Sequence, residues 1–297
     1  MKKLASNDEL GNSVAHFFKS GNVLRAADQG GLIELKNFIP KTWDKQTKVE
    51  YDIWYSFDDN KIHGYVYTDL LAQFIYLRVA SERLASKAMR DAANSQITEE
   101  GEAAFQLIRS AVSDKYRLRP AKEAHDFVVF LPGTNILNKV INWGRLDNAV
   151  RQGAKVKCHP LTAAPAFEHL RHKYGDAIIE KKVSGHQLLE QAAIVGCCDN
   201  SEMGLAALAK GKTVYRFGEE SQWCTYSAIY QALDFEGQLR PERLKAILSD
   251  KNSGLVPANI GKPYERVMQF FAHYKGYEHV APKGFSNRVQ QVGVANS

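Results

Sequence analysis

The 297-residue sequence lacks a long apolar run, a secretory pattern and a rich set of cysteines. No stretch approaches the roughly 18–20 consecutive apolar residues that a membrane-spanning helix needs. The two lysines near the N-terminus are followed by polar residues, whereas a secretory signal continues with an apolar segment. The four cysteines have no zinc-ligand spacing, and the adjacent Cys197 and Cys198 lie in an apolar run. We therefore expect reduced core thiols in an intracellular protein without a transmembrane segment.

Several common catalytic and phosphate-binding motifs are also absent. No G-x-G-x-x-G follows a predicted strand, and no G-x-S-x-G elbow occurs. Gly211-Lys212-Thr213 follows a helix instead of starting one, and Ala206 stands where a P-loop needs glycine. His169 and His172 are three residues apart on a predicted helix, but no third ligand is spaced near them. These absences argue against a P-loop, a typical dinucleotide fold, an α/β-hydrolase and a metal site.

Positive charge exceeds negative charge by six, and the excess is uneven. The first 120 residues carry 17 basic and 16 acidic side chains, so most of the excess lies beyond residue 120. This distribution permits a phosphate-rich ligand, a nucleic acid or a membrane surface without requiring one.

Short apolar runs alternate with helical patterns through the second half of the chain. The runs predict strands at 126–131, 155–158, 177–181, 194–198 and 213–217. The intervening and following patterns predict helices at 137–152, 165–174, 185–192, 201–210, 222–234, 241–249 and 263–275. Strands that alternate with helices through short connections are typical of a parallel sheet flanked by helices. The sequence therefore predicts an α/β fold for this half.

The first 120 residues have a weaker pattern. We predict two strands at 51–57 and 62–67, because Asp58, Asp59 and Asn60 between them are turn-forming residues. We predict amphipathic helices at 70–92 and 99–115, and then a charged, proline-containing linker at 115–123. The domain prediction is 1–120 and 121–280, with a disordered basic tail at 281–297.

Polar residues follow three of the predicted strands. Lys157 and His159 end one strand, and both side chains suit a phosphate oxygen. Asn200, Ser201, Glu202 and Gly204 lie where another strand leads into a helix, whose N-terminus presents free N–H groups. Taken singly, each group also fits a structural role, as a strand end or an ordinary helix cap.

A third loop contributes Gly133 and Thr134 after the first strand of the second half. Glycine at this point lets the backbone approach a ligand closely. Carboxyl ends of parallel strands share one edge of a sheet, where ligands of open α/β sheets bind. The three loops together predict a pocket for a nucleotide phosphate.

The stretch from VKCHP through LLEQAAIVGCCDNSEMGLAALAKGKTVYRFG resembles a known family. It is similar to the nucleotide-sugar half of capsule-polysaccharide-synthesis-type glycosyltransferases, a GT-B group that includes transferases of keto-deoxy-octulosonate. About 95 residues are covered. The matching positions are Lys157, His159, Pro160, Ser201, Gly204, Ala207, Leu208, Gly211, Lys212 and Val214.

The resemblance implies two Rossmann-like domains of GT-B type that face a central cleft, with a C-terminal helical region. Residues 121–280 would bind a UDP- or CMP-linked sugar, residues 1–120 the acceptor, and helix 263–275 is the candidate for crossing back. Such enzymes need neither metal nor another cofactor, and this one would work in the cytosol of a bacterium or a phage-infected host. The donor-binding residues would be Gly133, Thr134, Lys157, His159, Asn200, Ser201, Glu202 and Gly204.

A glycosyltransferase of this kind needs a general base for the acceptor hydroxyl. Asp58 and Asp59, near His63, are the candidates, although a solvated turn explains the two aspartates equally simply. The acceptor is left open between a surface glycan and a hydroxymethylated base in DNA. A sugar-nucleotide epimerase and a non-catalytic nucleotide-sugar-binding protein are the alternative functions, and the oligomeric state is undetermined.

Overall fold

The computed structural model describes residues 52–58, 61–70, 74–79, 82–110, 118–160, 162–218, 226–257, 269–270 and 273–274. The chain divides into two compact units, the first made of residues up to 104 and from 243 onward, the second of residues 105–242. The strands are β1 (Asp52–Asp58), β2 (Lys61–Leu70), β3 (Phe74–Val79), β4 (Phe127–Phe130), β5 (Lys155–Lys157), β6 (Ile178–Ile179), β7 (Ile194–Cys197), β8 (Thr213–Arg216), β9 (Asp234–Phe235), β10 (Gln238–Leu239) and β11 (Leu255–Pro257). The helices are α1 (Glu82–Ala92), α2 (Glu99–Ser110), α3 (Thr134–Val140), α4 (Trp143–Arg151), α5 (Ala164–Tyr174), α6 (Gly185–Gln191), α7 (Glu202–Ala209), α8 (Ser227–Leu233) and α9 (Pro241–Ser249).

The first unit contains an antiparallel sheet with strand order β1-β2-β3-β11. The two predicted strands are present, and Asp58 is paired with Lys61 across a tight connection. Only antiparallel strands can be joined so closely, because a parallel pair needs a crossover of a dozen or more residues. The described strands of this unit are therefore not the parallel Rossmann-like sheet that the family resemblance implied.

The prediction of a helix over 70–92 is wrong in its first part. Residues Phe74–Val79 form β3, and the helix starts only at Glu82. The segment FIYLRV is rich in aromatic and branched residues, which favour a strand. Phe74, Tyr76 and Leu77 are fully buried, and β3 has β2 on one side and β11 on the other. Packing between two neighbouring strands decides the structure here.

The second unit contains a five-stranded parallel sheet, as predicted. Its strand order is β6-β5-β4-β7-β8, so the chain starts in the middle, moves to one edge and then returns to build the other. Val129 in the central strand is in register with Val156 on one side and Gly196 on the other. The central strands are apolar because helices cover both faces. The mixed α/β architecture with a parallel sheet is thus confirmed.

Two groups of helices cover the two faces of this sheet. Leu137 of α3, Leu146 of α4 and Phe167 of α5 pack with Val129 and Val156 in one buried cluster. The other face carries α6 and α7, where a side chain on Gly185 would meet Phe130 and one on Gly204 would meet Cys197. Right-handed crossovers that run in opposite directions along a sheet place their helices on opposite faces. The connections after β4 and after β7 therefore diverge.

The predicted helix 137–152 is two helices in the structure. Ile141 forms an antiparallel bridge with Gly218, and Asn142 caps α4 by accepting a hydrogen bond from the Arg145 N–H at 3.0 Å. The Asn142 N–H in turn donates to the Phe217 carbonyl at 2.9 Å. An asparagine that caps a new helix competes with continuation of the preceding one. The other predicted elements of the second unit match to within a few residues where they are described.

Some predictions fall outside the described residues. These are the tail 281–297, most of helix 263–275, Asp59 and Cys224. The other three cysteines are buried free thiols, as predicted. No helix in the described part of the chain is long and apolar enough to cross a membrane.

Candidate functional site

The strand order of the second unit places a topological switch point, which we call the crevice, at the carboxyl edge of its sheet between β4 and β7. The chain leaves β4 towards β5 and β6, whereas it leaves β7 towards β8 on the opposite side. Ligands of open α/β sheets bind where the connections of two neighbouring strands diverge in this way. The crevice is therefore bordered by the loops 131–133 and 198–201, which hold two of the three predicted groups of polar residues.

The loop after β4 is tied to the loop after β5. Thr134, the first residue of α3, accepts a hydrogen bond from the Ala163 N–H at 2.8 Å. The Leu131 N–H donates to the Lys157 carbonyl at 2.9 Å, which extends the strand pairing beyond β4. Gly133 precedes α3 with φ at −61°, a conformation open to any residue. The backbone conformation therefore does not require glycine at this position.

Lys157 is directed into the protein. Its side chain is 3% exposed, and its ammonium donates to the carbonyls of Cys158 at 2.7 Å and of Lys181 at 2.9 Å. Burial lowers the pKa of Lys157 to about 8, and it raises the pKa of the neighbouring Cys158 thiol to about 11. Lys157 thus holds the loop after β5 against the loop after β6.

His159 follows on the same loop and is partly exposed. Its carbonyl accepts from the Thr162 N–H at 2.9 Å, which closes a turn. Lys181 reaches the same turn, where its ammonium donates to the Thr162 carbonyl at 3.0 Å and lies 5.2 Å from the Phe167 ring centroid. These contacts fix the backbone at His159, one strand away from the crevice.

The loop after β7 carries the densest set of polar contacts. Asp199 is 1% exposed and accepts two hydrogen bonds from the Arg216 guanidinium. Asn200 follows, and its side-chain oxygen is buried without a hydrogen-bond partner among the described residues. Ser201 caps α7, since its hydroxyl accepts from the Met203 N–H at 3.2 Å. The loop thus offers an unpaired acceptor beside a helix N-terminus.

Gly204 has a packing role in α7. A Cβ at this position would overlap the Tyr230 hydroxyl and the Cys197 sulfur. The Tyr230 hydroxyl donates to the Ser201 carbonyl at 2.7 Å and so holds the start of α7. Glu202 lies in the first turn of this helix and is partly exposed. Of the predicted residues on α7, Glu202 lies near the crevice. Gly204 instead makes room for Tyr230, which holds the start of the helix.

The predicted catalytic residues lie on the β1–β2 hairpin of the first unit. Asp58 ends β1, opposite Lys61, and Asp59 lies outside the described residues. In β2 the pairing passes from Ile62 directly to Gly64, which makes His63 the extra residue of a β-bulge. Bulges are frequent next to functional sites, where they redirect a strand.

Sequence reasoning missed the pair Asp199 and Arg216. An acidic residue just after a buried strand and an arginine at the end of the next strand were both visible, and parallel pairing of β7 with β8 brings them together. No group of three or more His, Cys, Asp or Glu side chains in the described part of the chain is close enough to hold a metal ion.

Comparison with known proteins finds similarity to solved structures. No family model matches the chain, and no curated protein matches it. Among solved structures, the chain is similar to the beta Kdo 2,7 transferase KpsC of Thermosulfurimonas dismutans, with 15% sequence identity and a TM-score of 0.38. The match covers 66% of this chain and 71% of that chain.

Proposed function

We propose that the protein is a glycosyltransferase that binds a nucleotide sugar in the crevice between β4 and β7. The proposal rests on two features that occur at the same place. The connections after β4 and β7 diverge there, and the Asn200–Ser201 loop leads there into the N-terminus of α7. This is where α/β sheets bind nucleotides, and helix N-termini favour phosphate. The sequence resemblance to capsule-type transferases supports the same assignment.

The crevice and the neighbouring loop after β5 would bind different parts of the donor. The N–H groups at the start of α7 and the His159 ring would hold the phosphates, and both would stabilise the charge of the leaving nucleotide. The unpaired Asn200 oxygen would accept a hydrogen bond from a ribose hydroxyl or a base amine, and Glu202 would accept from a ribose hydroxyl. Gly133 and Thr134 would form the opposite wall. Lys157 would act indirectly, through the two loops that it holds together.

The reaction would be metal-independent transfer to a hydroxyl group. The acceptor oxygen attacks the anomeric carbon, the bond from that carbon to the phosphate oxygen breaks, and the nucleotide leaves with the electron pair. The acceptor proton passes to a general base, for which Asp58 or Asp59 is proposed, with His63 on the adjacent bulge. The donor would be UDP- or CMP-linked. The acceptor would be a glycan, or else a hydroxymethylated base in DNA, whose binding would fall steeply with salt.

Calorimetric titration of the full chain with UDP, CMP, GDP and dTDP tests the donor site. We expect one nucleotide to bind, and His159→Ala to weaken its binding about tenfold or more, as the loss of a charge-assisted hydrogen bond predicts. His172→Ala, an exposed histidine on α5, is the matched control and should bind like the wild type. Failure of all four nucleotides to bind would overturn the proposal.

A turnover assay with the nucleotide sugar separates the functional classes. Acceptor-dependent release of nucleotide supports transfer. Conversion of the donor without any acceptor would identify an epimerase instead, and donor binding without either reaction would identify a binding protein.

A further inference from the structure

A groove of about 460 Å³ lies between α3, α4 and α5 on one helical face of the second unit. Its walls are mainly apolar, with Leu137, Leu170 and Pro165 among them. Thr134, Asn138 and His169 add hydrogen-bonding groups. Its volume lies within the range of small-ligand sites, about 300–1,000 Å³, and its mixture of apolar walls with a few polar groups is typical of them. The proposed donor site uses none of these residues except Thr134.

Trp143, the first residue of α4, is a rigid aromatic wall of this groove. The Lys173 ammonium lies 5.3 Å from its ring centroid and 2.8 Å from an oxygen of Asp147. The Tyr174 hydroxyl donates to the same oxygen at 2.6 Å. The hydrogen bond from Lys173, with that from Tyr174, lowers the pKa of the Asp147 carboxyl, so the pair stays charged near neutrality. This network holds the indole in place from one side.

The same network determines which ligand the groove suits. Lys173 is the one lysine or arginine among the lining residues, and a carboxylate already neutralises it. A nucleic acid needs lysines or arginines that are available to its phosphates. A sugar ring needs an apolar surface for its C–H face and groups that both donate and accept for its hydroxyls. Trp143 supplies the surface, and the Asn138 amide and Thr134 hydroxyl supply the donors and acceptors.

We propose that this groove binds a short uncharged segment of a glycan, with a sugar ring stacked on Trp143. One end of the groove lies near the carboxyl edge of the sheet, because Thr134 and Pro165 stand in the first turns of α3 and α5, directly after the loops that follow β4 and β5. A chain that fills the groove therefore reaches this edge. That the bound glycan is the acceptor rests on the proposed function. That the groove binds a glycan does not.

Calorimetry of the full chain with maltotriose, cellotriose and chitotriose tests the groove. We expect at least one trisaccharide to bind, Trp143→Ala to weaken it about tenfold, and Trp143→Phe to retain most of the affinity. Asn138→Ala, at an exposed position, should weaken binding without affecting folding. Tyr215→Ala removes an aromatic side chain that is 52% exposed outside the groove, and it should bind like the wild type.

The outcomes separate this proposal from the donor site. Trisaccharide binding that needs Trp143 and Asn138 supports the groove even if no nucleotide binds. The proposal is overturned if no trisaccharide binds, or if both variants bind as tightly as the wild type. It is equally overturned if the chain binds only a single-stranded oligodeoxythymidine, with an affinity that falls steeply as salt is added. Trp143→Ala should unfold in a cooperative thermal transition like the wild type, which shows that the variant is folded whether or not a nucleotide binds.

Discussion

Arg216, the last residue of β8, donates from Nε to the Asp199 carboxylate at 2.8 Å and makes a second hydrogen bond to it from Nη2. Asp199 is 1% exposed and stands directly before Asn200 and Ser201. The pair connects the ends of two neighbouring strands at the edge where the donor is proposed to bind. A buried carboxylate of this kind depends on its partner, because an unpaired buried charge is very unfavourable.

Arg216→Met should destabilise the protein and weaken nucleotide binding together. Loss of the partner of a buried carboxylate costs about 3–5 kcal/mol in the free energy of unfolding, which urea denaturation measures. The control is Asp234→Asn, which removes the second carboxylate near Arg216. The Asp234 side chain is 33% exposed, and its distance of 3.5 Å from the guanidinium is longer than that of Asp199. That variant should stay within about 1 kcal/mol of the wild type. Equal effects in the two variants would show that the buried pair contributes no more than a surface one.

Gly204→Ala should destabilise the protein through overpacking. The added methyl group overlaps the Tyr230 hydroxyl and the Cys197 sulfur, so we expect a loss of about 1–3 kcal/mol in thermal or urea unfolding. Gly144→Ala is the matched control, because its Cβ would meet only the Asn142 side chain at 3.6 Å. Alanine in a helix should make that variant equally or slightly more stable. Tyr230→Phe in the Gly204→Ala background should recover part of the loss, and strict additivity would argue against the overlap.

The stability of the protein should rise with pH near pH 8 because of Lys157. Its pKa is lowered from 10.5 to about 8, so between these values the unfolded chain binds a proton that the folded chain has lost. The free energy of unfolding therefore increases with pH through this window by at most about 1.4 kcal/mol per pH unit. Below about pH 8 Lys157 is protonated in both states and adds no pH dependence. The buried thiols have raised pKa values and act in the opposite direction above about pH 9.

The measurement is the difference in unfolding free energy between the wild type and Lys157→Met from pH 7.5 to 9. That difference should shift by about 1 kcal/mol in favour of the wild type as pH rises. Lys155→Met, at a partly exposed position on the same strand, is the control and should leave the pH profile unchanged. A flat difference for Lys157→Met, or one of opposite sign, would show that the ammonium is not destabilised by burial.

Asp58→Asn or Asp59→Asn should remove transfer and leave the donor bound. Loss of a general base lowers kcat by about 10²–10⁴-fold, while calorimetry should find the nucleotide affinity unchanged. Asp52→Asn, at the other end of β1, is the control for a change of charge on the same strand. Full activity of both single variants would remove the hairpin from the mechanism.

The sequence predicted the second unit better than the first because its signals are local. β5 is preceded by Gly153 and β8 by Gly211, both with positive φ values, at +92° and +74°, which glycine favours at such turns. β3 was mistaken for a helix because its structure depends on β11, whose residue Leu255 pairs with Tyr76 from far along the chain. Propensity within one segment contains no information about such a partner.

The sequence predicted that the loops after β4 and β7 share one sheet edge, but it did not predict the contacts that they make there. Loops 133–134 and 199–201 lie at one sheet edge because parallel strands end together, which the alternation of elements implied. The inward direction of Lys157 depends on the carbonyl of Lys181, which only the folded β6 region supplies. The ion pair of Asp199 similarly requires the register of β7 and β8. Both are properties of neighbouring strands and not of a motif.

The pairing of β3 with β11 also sets an order of events during synthesis. The second unit ends at residue 242, so all of it leaves the ribosome before Leu255–Pro257 does. Until then β3 has an open edge, with Tyr76 and Leu77 among its apolar residues. Unpaired edges in nascent chains are prone to aggregation. Chains that are truncated before residue 255 and released from the ribosome should therefore fold the second unit, while the first still needs protection by chaperones.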